Sequence, residues 1–268
     1  MTQFDLDGYL SRIGWDESRQ PTFETLATLL RAHMMRIPFE NLDVLLGRGV
    51  RLDLDTLYGK LVLARRGGYC YEHATLFQAV LRHLGFEPVA HAARVVMATP
   101  RTDAPRTHMF LSVLIGSDTF VLDPGFGGHA PIVPVPLVAG AQVRDGNDVH
   151  RMVRRDDEWT LETDIGGAAV PLWSSSLEPQ YPVDFVMANH FVSTFPDSPF
   201  VTGLRLRALT DEGRVSVMNR DVTIVQGDRK ELAILPDRST LRALLTQFFG
   251  FDLPAVERLR VPSVTEWL

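Results

Sequence analysis

His108-Met-Phe-Leu-Ser-Val-Leu-Ile115-Gly116-Ser117-Asp118-Thr119-Phe-Val-Leu-Asp123 is two runs of β-forming residues around a two-residue break. Gly-Ser between such runs is the signal of a type II′ hairpin. If Gly116 and Ser117 are the loop, Ile115 pairs with Asp118 and the register carries Asp123 opposite Phe110. Residues two apart on a strand share a face, so His108 and Phe110 do. Asp123 and His108 are then diagonal neighbours, roughly 7–8 Å apart along the backbones and within side-chain reach. A slip of one residue would send them to opposite faces.

Upstream of this hairpin the periodicity is helical. Thr22 caps a helix with Phe23, Leu26, Leu30 and His33-Met34 on its apolar face, ended by Pro38. Asp53 or Asp55 caps a second through Leu57, Leu61 and Ala64. Gly67-Gly68 breaks the chain, and a third helix starts near Cys70, buries Ala74, Phe77, Val80, Leu81 and Leu84, and stops at Gly85. From His91 the period becomes that of strands: Ala93–Ala98, Met109–Ile115, Thr119–Leu122, and further strand-and-turn character from Val143 to Thr163. Gly128 to Pro136 reads as loop. Beyond Asn189 the pattern mixes alternation at 204–209, 215–217 and 222–225 with a last helix capped by Ser239 and closed by Gly250. Helices, then strands, then a small mixed unit is an α+β order, not alternating βαβ.

The chain has 268 residues, 45% hydrophobic and 22% charged, with net charge −6. These proportions exclude a mainly disordered chain, a collagen and a coiled coil. With no basic block, nucleic-acid binding is not expected. No signal peptide and no membrane span are read, and the simplest location is the cytoplasm. A single cysteine, Cys70, excludes an intrachain disulfide framework and a multi-cysteine metal site. The remaining histidines have no carboxylate or cysteine set that spells a metal site.

A lone cysteine is most often a small buried hydrophobe. Here the setting is Arg66-Gly67-Gly68-Tyr69-Cys70-Tyr71-Glu72. Gly-Gly leaves the thiol unobstructed, the helix N-terminus favours a thiolate, and the Arg65-Arg66 pair adds positive potential. A thiolate needs a base and the base an orienting group. His108 would take the thiol proton and Asp123 would hold the imidazole. The order Cys, His, Asp parallels the papain-like arrangement. The Cys70 N–H is a natural oxyanion donor.

The chain resembles the arylamine N-acetyltransferase family. The likeness rests on His33-Met-Met-Arg-Ile-Pro-Phe39-Glu-Asn-Leu42, Arg66 to Glu72, Thr107-His-Met109, Asp123-Pro-Gly-Phe-Gly-Gly128, and Asn189 to Phe200, in order from about residue 4 to about 250. The resemblance implies an N-terminal helical bundle (residues 1–88), a central antiparallel β-barrel (89–198) and a C-terminal α/β lid (199–268), with a cysteine-protease-like core. It implies the same triad, Cys70, His108 and Asp123, and ping-pong transfer of acetyl from acetyl-CoA, as co-substrate, to an arylamine, arylhydrazine or N-hydroxyarylamine. It places Phe39, Tyr71, Phe126 and Phe200 at the acceptor and Gly125, Gly127 and Gly128 at the CoA phosphates, with no metal or prosthetic group. The same three side chains would also serve a transglutaminase- or protease-like enzyme acting on amides. The sequence departs from the family pattern at His73, one helical turn after Cys70, where the family usually has Asn, and at Pro124, beside Asp123, where it usually has Val.

Overall fold

The computed structural model describes residues 4–146 and 148–267. Residues 1–3, which open the acidic start, and residues 147 and 268 lie outside the described residues. The N-terminal part is helical: α1 (Leu6–Ile13), α2 (Phe23–Arg36), α3 (Leu42–Leu45), α4 (Leu54–Leu57), which runs on into a π-helical turn over Tyr58–Leu63, and α5 (Cys70–His83). The expected caps form: Thr22 accepts from the Thr25 N–H and Asp53 from the Thr56 N–H. Phe23 differs from expectation. It sits in the first turn of α2, 45% exposed, with its ring 4.8 Å from that of Phe120.

An eight-stranded antiparallel sheet follows. Its strands are β2 (Val89–Val95), β3 (Arg106–Ile115), β4 (Asp118–Leu122), β5 (Val135–Pro136), β6 (Gln142–Asp145), β7 (Asp148–Arg155), β8 (Glu158–Ile165) and β9 (Ala168–Ser175). Their order is β5-β4-β3-β2-β9-β8-β7-β6, and β5 lies against β6, which nearly closes a barrel. The hairpin register is the one the sequence predicts: Ile115 pairs with Asp118 and Leu111 with Leu122. Gly116 takes φ 62°. Strand β2 begins earlier than the Ala93–Ala98 run predicts, because its partner is β3 from Ser112 back to Arg106. The ladder bulges at Ala93/Arg94 and then ends. The loop read over Gly128–Pro136 contains the two-residue strand β5, paired to β4 at Phe120 and Val121.

The last part holds α6 (Pro182–Thr194), α7 (Pro199–Thr202), strands β10 (Arg205–Thr210), β11 (Gly213–Met218), β12 (Asp221–Gln226) and β13 (Arg229–Ile234), and α8 (Arg238–Leu244), extended by a π turn to Phe249. The cap of α8 is Asp237, not Ser239: its carboxylate accepts from the Thr240 N–H at 2.8 Å. A two-residue strand inside the helical part, β1 (Phe39–Glu40), forms the edge of this second sheet, with Phe39 opposite Arg207.

The helical part and the first sheet share one core, in which Leu26, Leu30, Phe77 and Leu81 meet Met109, Leu111 and Leu122. Helix α5 therefore lies against β3. Helix and sheet approach closely at Gly125, just past β4. A Cβ there would stand 2.7 Å from the Cys70 Cα and 2.9 Å from the His73 Cβ. Gly125→Ala is expected to cost about 1–3 kcal/mol of stability through overpacking against helix backbone. Gly128→Ala, with nothing within 4 Å of its Cβ position, should be near neutral. Urea unfolding of the two variants checks the contrast.

Candidate active site

The site begins at the Gly67-Gly68 turn. A Cβ on Gly67 would fall 1.9 Å from the Pro38 carbonyl oxygen, so no other residue fits. The turn is fastened by the Glu40 N–H to the Gly68 carbonyl (2.8 Å) and the Gly68 N–H to the Pro38 carbonyl (3.2 Å). Helix α5 starts directly after it. Glu72 Oε2 accepts from the Tyr69 N–H at 3.0 Å, half of a capping box. Cys70 is thus the first helical residue, 4% exposed, with its Sγ 3.9 Å from the Thr107 carbonyl.

Strand β3 delivers His108, and Asp123 follows β4. His108 Nε2 lies 2.9 Å from Asp123 Oδ2. A carboxylate only accepts, so Nε2 carries the hydrogen, and Cys70 lies close enough to this ring to favour its charged form. Burial works against a charged His108, but Asp123, with a smaller contribution from Cys70, outweighs it and lifts the imidazole pKa to about 10. Asp123 is fully buried. Its Oδ2 also accepts from Trp173 Nε1 at 2.8 Å, while Oδ1 has no partner. The Trp173 ring stacks on Phe110 at 4.1 Å. The sequence analysis did not find Trp173; it lies in the unread strand β9, and a buried tryptophan's need for an acceptor is the signal that could have found it.

Arg66 does not act as expected. It pairs with Glu40 (2.6 Å) and Asp43 (2.7 Å), while Lys60 pairs with Asp43 (2.9 Å) and Glu72 (2.8 Å). Its charge is spent within this cluster, and the Arg65 side chain lines a separate cleft. His73 also faces away from the thiol. Tyr9 Oη lies 2.8 Å from His33 Nδ1, His33 Nε2 lies 2.8 Å from His73 Nδ1, and His73 Nε2 reaches the Gly68 and Pro38 carbonyls at 3.1 and 3.2 Å. Only one set of tautomers satisfies this chain, with both rings neutral and every hydrogen directed from Tyr9 toward the Gly-Gly turn. Burial drives His33 well below its usual pKa and takes His73 down to about 4.

The aromatic residues divide. Phe126 meets His108 edge-on at 5.1 Å. Phe200 lies 6.2 Å from Phe39 and 5.6 Å from Tyr69, ring to ring. Tyr71 is fully buried with its hydroxyl unpartnered. Gly127, at φ 80°, packs under the Phe39 ring, its carbonyl accepting from Arg207 Nη1, and Gly128 is exposed. The cavity that Phe39 and Gly127 line with His73 and Pro124 is only about 20 Å³, room for about one water. Among the described residues no group of three or more His, Cys, Asp or Glu is placed to hold a metal, and no helix is long and apolar enough to cross a membrane.

Comparison with known proteins bears on this geometry. The N-acetyltransferase family profile matches residues 22–258. The chain is 38% identical to the arylamine N-acetyltransferase of Mycolicibacterium smegmatis, over 93% of this chain and 92% of that one. It is 36% identical to the arylamine N-acetyltransferase / N-hydroxyarylamine O-acetyltransferase of Salmonella typhimurium, over 96% and 92%. The Mycobacterium marinum arylamine N-acetyltransferase in complex with CoA superposes with a TM-score of 0.89 at 35% identity, over 94% of each chain.

The buried histidines set a pH dependence. A folded-state pKa below the unfolded value near 6.5 gives stability that is complete above pH 6.5 and is lost as pH falls toward about 4, the value for His73. Each neutral histidine contributes a slope of about 1.4 kcal/mol per pH unit in that window. His108 has the opposite sign: its contribution is complete below pH 6.5 and is lost as pH rises through about 10. Urea unfolding from pH 7 to pH 4 is expected to show the acid loss, and His73→Asn should remove one histidine's share of the slope. An unchanged slope in that variant would remove His73 from this account.

Proposed function

The chain belongs to the arylamine N-acetyltransferase family, and from that premise we propose that Cys70, His108 and Asp123 form its catalytic triad for acetyl transfer from acetyl-CoA to an aromatic amine, hydrazine or N-hydroxyarylamine. The observation that carries this reading is the imidazole of His108, 2.9 Å from a fully buried carboxylate and under the influence of a thiol at a helix N-terminus. Family membership selects acetyl transfer over the amide chemistry that the same side chains would also serve.

At neutral pH the elevated pKa of His108 makes it an imidazolium, the counterion of a Cys70 thiolate. The thiolate adds to the acetyl carbonyl of acetyl-CoA. The Cys70 N–H, which has no acceptor within the first turn of α5, stabilises the oxyanion. The carbon–sulfur bond to CoA breaks, and the departing sulfur takes the proton of His108. The acceptor nitrogen then adds to the Cys70 thioester and gives its proton to His108. The bond to Cys70 breaks, which restores the thiolate and imidazolium. Net, acetyl moves from sulfur to nitrogen and one proton moves from the amine to CoA. Asp123 holds the ring in one tautomer, and Trp173, as a positioning residue, holds Asp123.

Phe126, edge-on to His108, and Phe39 with Phe200 suit the faces and edges of a flat acceptor, and Tyr71 closes the floor beside Cys70. Gly125 and Gly127 keep the loop close to Cys70 and Phe39, and Gly128 leaves its backbone open to a CoA phosphate. In this reading residues 1–88 and 89–198 build the triad and 199–268 cover it. The unpaired thiol suits a reducing compartment, the cytoplasm.

Mass spectrometry after mixing with acetyl-CoA should show one acetyl adduct that is absent in Cys70→Ala; no adduct on the unaltered protein would end the transferase reading. Asp123→Asn is expected to lose nearly all activity with the fold retained, and more than a tenth of the original rate would remove Asp123 from the triad. Trp173→Phe, which deletes one hydrogen bond to a charged group, should fall by roughly tenfold or more.

A further inference from the structure

Away from the triad, one cleft concentrates positive charge in a chain of net charge −6. Its volume is about 240 Å³, and it lies where the helical part meets the C-terminal part. The first contributes Arg12, Arg36 and Arg65; the second contributes Leu209, Phe248 and Asp211. Arg12 is only 7% exposed. Its Nε donates to the Leu61 carbonyl (3.0 Å) and its Nη2 to the Arg65 carbonyl (3.1 Å). Its Nη1 makes no hydrogen bond and is not sealed from solvent, and Arg12 lines the cleft. Among the described residues no carboxylate pairs with Arg12, Arg36 or Arg65. The three charges repel one another: burial first, then Arg65 and Arg36, bring the Arg12 pKa down to about 10.

Arg65 also holds φ at +54°, a left-handed conformation that costs a non-glycine residue on the order of 1 kcal/mol. That turn aims its carbonyl at Arg12 where Arg65 lines the cleft. Helix C-termini at Arg12, Arg36, Leu63 and Phe249 offset part of this charge, but the lining side chains set three arginines against one carboxylate, Asp211, beside apolar Leu209 and Phe248.

We propose that this cleft binds a small organic carboxylate carried on a flat apolar body. The guanidinium groups take the carboxylate, for which their planar fork is matched, and Leu209 and Phe248 take the ring. A bound acid would bridge the helical part and the C-terminal part and stabilise their contact. The cleft contains none of Cys70, His108 and Asp123, and the proposal does not depend on the catalytic reading.

Sodium benzoate is the probe, added to the full chain at constant ionic strength with chloride as the balancing anion. Thermal unfolding is expected to show a saturable rise of several degrees, as for a ligand that binds only the folded state. The double variant Arg36→Gln/Arg65→Gln, altered at two exposed positions, should lose most of it. Inorganic phosphate should give a smaller rise, because it brings no apolar body. A rise that stays linear with concentration, persists in the double variant, or is matched by phosphate overturns the proposal. Persistence in the variant would place benzoate elsewhere, including at the triad.

Discussion

A carboxylate with no exposure to water is costly by several kcal/mol unless donors surround it, and Asp123 is such a group. Its Oδ2 draws a hydrogen from His108 and another from Trp173, and these two side chains come from strands on different sides of β2. The demand of one oxygen therefore ties β4, β3 and β9 into a fixed relation. Phe110, stacked on Trp173, lies next along the strand from the residue that flanks His108, so sheet packing and site geometry are set by the same few side chains. The charge held on Asp123 is also what keeps His108 protonated against its own burial.

The other half of the site depends on a different kind of fit. Cys70 owes its place to a turn that only glycine can make against the Pro38 carbonyl. Below that turn, Lys60 and Arg66 pair with Glu40, Asp43 and Glu72, and beside it the neutral His33–His73 pair reaches the Pro38 and Gly68 carbonyls through His73. One polar network anchors the turn by charge and the other by directed hydrogen bonds. Neither touches the thiol. Both act by fixing where α5 begins.

The contact of His108 with Asp123 was legible because local rules reach it. A two-residue Gly-Ser loop fixes a register, and register fixes which side chains share a face, so His108 and Asp123 meet by counting. The start of α5 was legible from Gly-Gly and apolar periodicity. What escaped has physical reasons too. Helix α6 is apolar nearly all round, with Val183, Met187 and Phe191 exposed and Phe185 and Val192 buried, so no amphipathic period marks it. Trp173 acts across fifty positions of chain, and no local pattern announces a partner that distant. Arg66 was read as a neighbour of Cys70 because it is near in sequence, whereas its side chain is drawn to the opposite charges of Glu40 and Asp43. Asp237 displaced Ser239 as a cap because a carboxylate can accept from the Thr240 N–H and from the Ser239 and Thr240 hydroxyls together.

Gly125 gives the chain a property of another kind. Cys70 rides on a helix and His108 on a strand, and helix and sheet are pressed together with no side chain between Gly125 and the Cys70 backbone. A shift of an ångström between helix and sheet would leave every element intact and still part thiol from imidazole. Catalysis in such a chain is a gauge of docking rather than of folding. Activity and thiol reactivity therefore report on the seam between helix and sheet, while helix and strand content report on the elements themselves.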